Sequence, residues 1–162
     1  MMNKKQLEKV KKEDVFNYAK DDGIIGADNI YIYYFDDPEK ASDQEIEDIC
    51  NTVGPYMQSV YFAEDPYGVY HELAGSRFGG YVKCNLWKET IETQKQMLQL
   101  FLYGDANPEL NRIFLFKDKK RLNAGENVFL DANMVVMAPI LDVRAVGFFS
   151  KGIDLELFFK CL

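Results

Sequence analysis

Apolar runs typical of β-strands, some continuous and some alternating with polar residues, dominate the second half of this chain and limit the folds open to it. The longest run covers residues 134–149, and we expect it to bend or break near Pro139, since proline disrupts a strand ladder. Ser150-Lys151-Gly152 then predicts a hairpin turn into a strand at residues 153–160. The apolar side chains on one face of that strand are Ile153, Leu155, Leu157 and Phe159.

Shorter runs of β-branched and aromatic residues predict further strands. Residues 81–87 alternate cleanly, with Val82, Cys84 and Leu86 on one face. The other predicted strands cover residues 30–35, 59–63, 112–117 and 128–131. Together these runs predict a mostly antiparallel sheet dominated by the C-terminal half.

Three helices are also predicted, and the best signalled covers about residues 43–53. Ser42 and Glu45 have the spacing of a capping box, and Gly54-Pro55 ends the helical pattern. Its apolar stripe contains Ile46, Ile49, Cys50 and Val53.

The two other predicted helices have weaker signals. One covers about residues 88–103 and should face inward with Ile91, Leu98, Phe101 and Leu102. The other covers about residues 3–20, where the apolar stripe is broken. We therefore expect a single α+β domain over residues 1–162, with a basic segment at about residues 1–12.

Charge is distributed unevenly along the chain. Residues 13–72 hold fifteen carboxylates but only Lys20 and Lys40, which gives −13, whereas residues 1–12 carry +4 and residues 73–162 carry +2. Surface fields of this kind govern association rather than fold. We expect an acidic interaction surface at Asp43, Glu45, Glu47 and Asp48. The matching basic surface contains Lys4, Lys5, Lys9, Lys11 and Lys12.

A polar, glycine-rich segment at residues 64–80 contains the only histidine, His71. An enzyme built here would use His71 as general base, Glu72 or Asp65 as its orienting carboxylate, Arg77 as an anion clamp and Ser76 as nucleophile. A solvated connection rich in turns explains the same residues. Since no catalytic motif is complete, the sequence favours a role without catalysis.

Carboxylates cluster at residues 21–28 and 36–39, where Ca²⁺ or Mg²⁺ would find hard oxygen ligands. Neither cluster has the EF-hand spacing, and acidic runs of this kind are typical of turns. The sequence also lacks the glycine-rich phosphate motifs. We therefore predict neither a metal site nor a cofactor.

Two basic segments offer phosphate contacts, namely the N-terminal lysines and residues 117–121. A net charge of −7 opposes direct binding to nucleic acid, and residues 117–121 are typical of a solvated turn between strands. Direct nucleic-acid binding is thus disfavoured.

The cysteines Cys50, Cys84 and Cys161 are widely spaced, which indicates reduced thiols. No apolar run approaches the roughly 18–20 residues that cross a bilayer, and no signal-peptide pattern is present. These features predict an intracellular, cytoplasmic protein.

Three functions remain open at this point. A structural or assembly component would pack on itself or on a neighbouring subunit, with acidic and basic surfaces meeting head to tail. An acidic inhibitor or immunity-type protein would block a basic nucleic-acid enzyme. An enzyme would use the segment at residues 64–80 with His71 as base. The charge pattern favours protein binding, with assembly ahead of inhibition.

Overall fold

The computed structural model describes residues 2–11, 13, 26–37, 39–63, 76–78, 81–83, 86–104, 111–123, 127–140 and 145–159. These residues form an α+β structure, as the sequence predicts, with one antiparallel sheet, two longer helices and one single-turn helix.

Eight strands lie in the described residues: β1 (Leu7–Lys9), β2 (Asn29–Tyr34), β3 (Ser59–Phe62), β4 (Ser76–Phe78), β5 (Tyr81–Lys83), β6 (Ile113–Phe116), β7 (Met134–Ile140) and β8 (Ala145–Ser150). They form one sheet in the order β1-β2-β8-β7-β6-β3-β5-β4. Every neighbouring pair is antiparallel. The break in the run at residues 134–149 falls after Ile140, so Pro139 lies inside β7 opposite Val146.

The strand registers define two opposite ends of the sheet. At one end Tyr34 pairs with Ala145, which also pairs with Ile140. At the other end Phe116 pairs with both Met134 and Ser59. Since β2 and β6 run in opposite directions, the chain leaves β2 at the first end and β6 at the second.

Two helices cover one face of the sheet. α1 (Asp43–Val53) has the predicted bounds, and its capping box is complete: the Ser42 hydroxyl accepts from the Glu45 N–H at 3.1 Å, and Glu45 Oε1 accepts from the Ser42 N–H at 2.9 Å. α2 (Ile91–Tyr103) packs beside α1. Their apolar sides and the sheet share one core.

α2 begins later than the predicted start at residue 88. The Thr90 hydroxyl accepts from the Thr93 N–H at 3.2 Å and caps the helix, while Leu86–Lys88 is a separate 3₁₀ turn. That turn also corrects the predicted strand at residues 81–87, which ends at Lys83 in the described residues. Ile91, predicted to face inward, is 47% exposed because it lies at the first helical position.

On the opposite face of the sheet, the described residues that cover it form neither helix nor strand. Leu122, Val128 and Leu130 are buried there against side chains of β6 and β7. The predicted strand at residues 128–131 is therefore wrong, although its alternation is real, since Phe129 points to solvent. Alternation reports an extended, half-buried chain and does not require a hydrogen-bonded partner.

The predicted helix at residues 3–20 is wrong over residues 3–11, and most of its remainder lies outside the described residues. Lys4–Gln6 is a 3₁₀ turn and β1 follows directly. Leu7 packs in the core on the helix-covered face, whereas Val10 packs in the core on the other face. A spacing of three residues fits a helical stripe, but it also puts two side chains on opposite faces of a strand.

The predicted C-terminal strand at residues 153–160 is also wrong. After Gly152, which has a φ of 79°, the chain forms the single-turn helix α3 (Glu156–Phe159). Asp154 Oδ1 accepts from the Glu156 N–H at 3.0 Å at the start of this turn. Leu155 and Phe159 are both buried, and their four-residue spacing fits a helix as well as it fits alternation.

Candidate interaction surfaces

The predicted acidic surface on α1 contains both buried and solvent-accessible carboxylates. Glu45 and Asp48 are buried, at 8% and 7% exposure, whereas Asp43 is exposed and Glu47 is half-buried. Asp43 lies 3.4 Å from the ammonium of Lys95 on α2. Two of the four predicted carboxylates are thus turned inward, and their role in binding stays a prediction.

Glu45 is held by hydrogen bonds to both carboxylate oxygens. Oε1 accepts from Ser42, while Oε2 accepts from the Asp36 N–H at 3.1 Å and from the side-chain amide of Gln6 at 2.8 Å. Burial alone would raise the pKa of the Glu45 carboxyl, but the hydrogen bonds from Ser42, Asp36 and Gln6 together lower it below its ordinary value. Glu45 therefore stays ionised and connects α1 to the N-terminal turn at Gln6 and to the turn after β2 at Asp36.

Exposed carboxylates continue along the turn between β2 and α1. Asp36, Asp37 and Glu39 are exposed and form no ion pair within the described part of the chain. Asp37 Oδ1 accepts from the Glu39 N–H at 2.9 Å, which fixes the turn. With Asp43 these residues form what we call the acidic end. One exposed cation, Lys40, lies among them.

The predicted basic surface lies next to the acidic end. Gln6 donates to the Tyr34 carbonyl at 2.9 Å as well as to Glu45, so the N-terminal turn packs against the end of β2. The side chains of Lys4, Lys5, Lys9 and Lys11 are exposed, and Lys12 lies outside the described residues. Charges that are separate in the sequence are therefore neighbours in the fold.

A second basic surface lies at the opposite end of the sheet, where the chain leaves β6. Residues 117–121, which we call the cationic loop, are exposed: Lys117, Asp118, Lys119, Lys120 and Arg121. The Lys120 N–H donates to Ser59 Oγ at 3.0 Å, and the Tyr61 hydroxyl donates to the Lys120 carbonyl. The sequence identifies these cations but describes them only as a solvated turn.

Lys83 adds a further charge beside the cationic loop. It pairs with Tyr61 across β5 and β3, and its ammonium lies 5.9 Å from the centre of the Tyr61 ring. Sequence reasoning missed Lys83 because its neighbourhood depends on the pairing of β3 with β5. The only local signal for this placement is the alternation around residue 83.

The catalytic candidates fall largely outside the described residues. Asp65, His71 and Glu72 are not described, and only the backbone of Ser76 and Arg77, in β4, is. Within the described part of the chain, no three His, Cys, Asp or Glu side chains come together as metal ligands. The described residues therefore give no arrangement of the catalytic candidates, and the enzyme hypothesis stays a prediction.

Cys50 lies on α1 and is buried in the core. Burial, with a smaller contribution from the charge of Glu47, raises the pKa of its thiol to about 12. Such a thiol is a structural side chain and not a nucleophile. Cys84 and Cys161 lie outside the described residues.

None of the described helices is both long and apolar enough to cross a membrane. Comparison of the chain with protein-family models, with curated proteins and with solved structures finds no match.

Proposed function

We propose that this protein is a non-catalytic assembly component that packs on copies of itself or on a neighbouring subunit through segregated acidic and basic surfaces. The observation that carries the proposal is the acidic end, where Asp36, Asp37 and Glu39 are exposed without ion pairs in the described residues. Exposed charges without a partner attract an oppositely charged surface over about one Debye length.

Both kinds of surface are presented by ordered backbone. The turn that carries Asp37 is closed by a hydrogen bond between the Lys40 N–H and the Asp37 carbonyl at 3.2 Å. The N-terminal turn that carries Lys4 and Lys5 is capped by Asn3, whose Oδ1 accepts from the Lys5 N–H at 2.9 Å. Fixed charges of both signs favour specific contacts between subunits over diffuse attraction.

The solution mass across a salt series tests the proposal. We expect a mass above that of one 18.7 kDa subunit at low salt and a fall toward 18.7 kDa as salt screens the contact. A lower low-salt mass after neutralising Lys4, Lys5, Lys9, Lys11 and Lys12 together would assign the basic surface to the N-terminal lysines. A mass of one subunit at every salt concentration would contradict self-assembly.

A charge-matched pair of variants separates the acidic end from acidity in general. The variant D36N/D37N/E39Q keeps the shape of the turn, since Asn at position 37 retains an oxygen for the Glu39 N–H. The control E13Q/E92Q/D154N removes three exposed carboxylates that belong to neither surface. We expect only the first variant to lower the low-salt mass, and equal effects would show that net charge alone governs association.

A further inference from the structure

We propose that the cationic loop is the surface on which the acidic end of a neighbouring copy docks, so that subunits add head to tail. This inference rests on the proposed self-assembly and names its second surface. It replaces the N-terminal lysines, which the sequence suggests for this role, with residues at the other end of the sheet.

The first support is the rigidity of the cationic loop. Its backbone is fixed at Lys120 by Ser59 Oγ and by the Tyr61 hydroxyl, and at Lys117 by the Asn133 carbonyl, which accepts from the Lys117 N–H at 2.7 Å. Tyr61 itself is 1% exposed and cannot turn away. The backbone of the loop is therefore in place before contact and need not become ordered on binding.

The second support is the local excess of positive charge. Lys117, Lys119 and Lys120 are exposed and form no ion pair within the described residues. Lys83 adds to them from β5. Two exposed carboxylates, Asp118 and Asp131, also lie in the described part of the chain between β6 and β7, and Asp131 Oδ1 accepts from the Asn133 N–H at 2.8 Å. Among the described residues, cations therefore outnumber carboxylates at this surface.

The third support is the relative position of the two surfaces. The acidic end follows β2 at the Tyr34 end of the sheet, and the cationic loop follows β6 at the Phe116 end. The seven residues of β7 span the distance between these ends, which is roughly 20 Å at ~3.3 Å per residue. Complementary surfaces at opposite ends of a subunit make a heterologous contact, which produces a ring or a filament.

Charge complementarity favours a second copy of this chain, and not a nucleic acid, as the partner that binds the cationic loop. On the loop, three lysines without an ion pair in the described residues match three such carboxylates at the acidic end, Asp36, Asp37 and Glu39. A nucleic acid would meet the same lysines, but the net charge of −7 would repel it over the rest of the surface. A second copy of this chain supplies the acidic surface without that repulsion.

Reversing the charge of one surface at a time tests the inference. The loop variant K117E/K119E and the acidic-end variant D36K/D37K should each fall to the mass of one subunit at low salt. An equimolar mixture should recover the wild-type mass, since the reversed end of one variant then fits the reversed loop of the other. Recovery in the mixture also shows that both variants are folded.

A charge-matched comparison uses single reversals: K117E should lower the low-salt mass, whereas K88E, at an exposed lysine of the 3₁₀ turn before α2, should keep the wild-type mass. Assembly of the loop variant with the wild-type mass would overturn this inference while leaving the proposed function standing. A wild-type chain that stays at 18.7 kDa in all salt conditions would overturn both. Binding of a duplex DNA oligonucleotide by the wild type but not by K117E/K119E would make the loop a polyanion site and overturn the inference as well.

Discussion

The side-chain amide of Gln6 donates to Glu45 Oε2 at 2.8 Å and joins the N-terminal turn to the first turn of α1. The same carboxylate caps α1 through Ser42 and holds the backbone of Asp36. The N-terminal turn therefore meets the turn after β2 and the start of α1, both distant from it in sequence, at one buried anion. The acidic end and the N-terminal lysines are neighbours because of this contact.

We predict that E45Q lowers the free energy of unfolding by about 2 kcal/mol at neutral pH. The amide has a single oxygen, so it cannot accept the hydrogen bonds that the carboxylate accepts at Oε1 and Oε2. The measurement is urea denaturation at pH 7. The control E47Q changes a half-buried carboxylate of the same helix and should stay within about 0.5 kcal/mol of wild type. An equal loss in the two variants would contradict a special role for Glu45.

The advantage of wild type over E45Q should depend on pH. Because hydrogen bonds lower the pKa of Glu45 in the folded protein, its stabilising contribution is present above the ordinary pKa of about 4.3. It is lost as the pH falls through the lower, folded-state pKa. Urea denaturation at pH 7, 4 and 3 should show the difference shrinking toward acid pH. A constant difference over this range would count against the assignment.

Removing the Ser59 hydroxyl should loosen the cationic loop without unfolding the protein. In S59A the Lys120 N–H loses its acceptor, so we expect a loss of about 1 kcal/mol and faster hydrogen exchange at the Lys120 amide. The control S42A removes a different hydroxyl, at the start of α1, and should leave exchange at Lys120 unchanged. Unaltered exchange at Lys120 in S59A would show that the loop is fixed by other contacts.

Local signals predicted the parts of the fold that local chemistry determines. The capping box at Ser42 and the stop at Gly54-Pro55 correctly bounded α1, because both are contacts within a few residues. The predicted helix is wrong over residues 3–11 and the predicted strand is wrong at residues 153–160. In both segments, apolar spacings of three and four residues fit a helix and a strand alike. Only packing against the sheet distinguishes these alternatives for Leu7 and Phe159.

The candidate surfaces were predictable in composition but not in position. The sequence marks the lysines of residues 117–121, yet their fixed geometry depends on Ser59 and Tyr61, which are about sixty residues away in the chain. Likewise, the sequence places Glu45 on a binding surface. The hydrogen bond that it accepts from Gln6 joins residues far apart in the chain, so no local pattern reveals it. Charge patterns report which residues can interact, whereas burial decides which of them remain available.

Cys50 should resist thiol reagents in the folded protein. Its thiol is 3% exposed and burial raises its pKa to about 12, so at pH 8 almost no thiolate is present or accessible. Treatment with iodoacetamide followed by peptide mass spectrometry should find Cys50 unmodified in buffer and modified in concentrated urea. Rapid modification in buffer would contradict the burial of this residue.

The outer edge of β1 is open to pairing within the described part of the chain. The Val10 N–H donates to the Ile30 carbonyl at 3.0 Å, so alternate residues bond to β2, and the backbone groups of Leu7 and Lys9 point away from it. The Leu7 N–H donates to the Lys4 carbonyl, which leaves the Leu7 carbonyl and both backbone groups of Lys9 for a further strand. No described strand lies beyond β1. An edge of this kind is a template for strand addition unless its side chains prevent it.

The charges of Glu8 and Lys9 oppose pairing of β1 with β1 of another copy. We predict that E8T/K9T allows this pairing. A two-fold antiparallel pair centred on Glu8 or Lys9 places that residue opposite itself, and one centred on Leu7 places Lys5 opposite Lys9, so like charges repel in each register. At high salt, where charge-driven assembly is screened, the variant should still associate in proportion to concentration, because backbone hydrogen bonds hold it. Sedimentation velocity at two concentrations measures this, with K88T/E92T as a control of equal net charge that should remain one subunit. A variant that also remains one subunit would show that features other than its charges protect the edge.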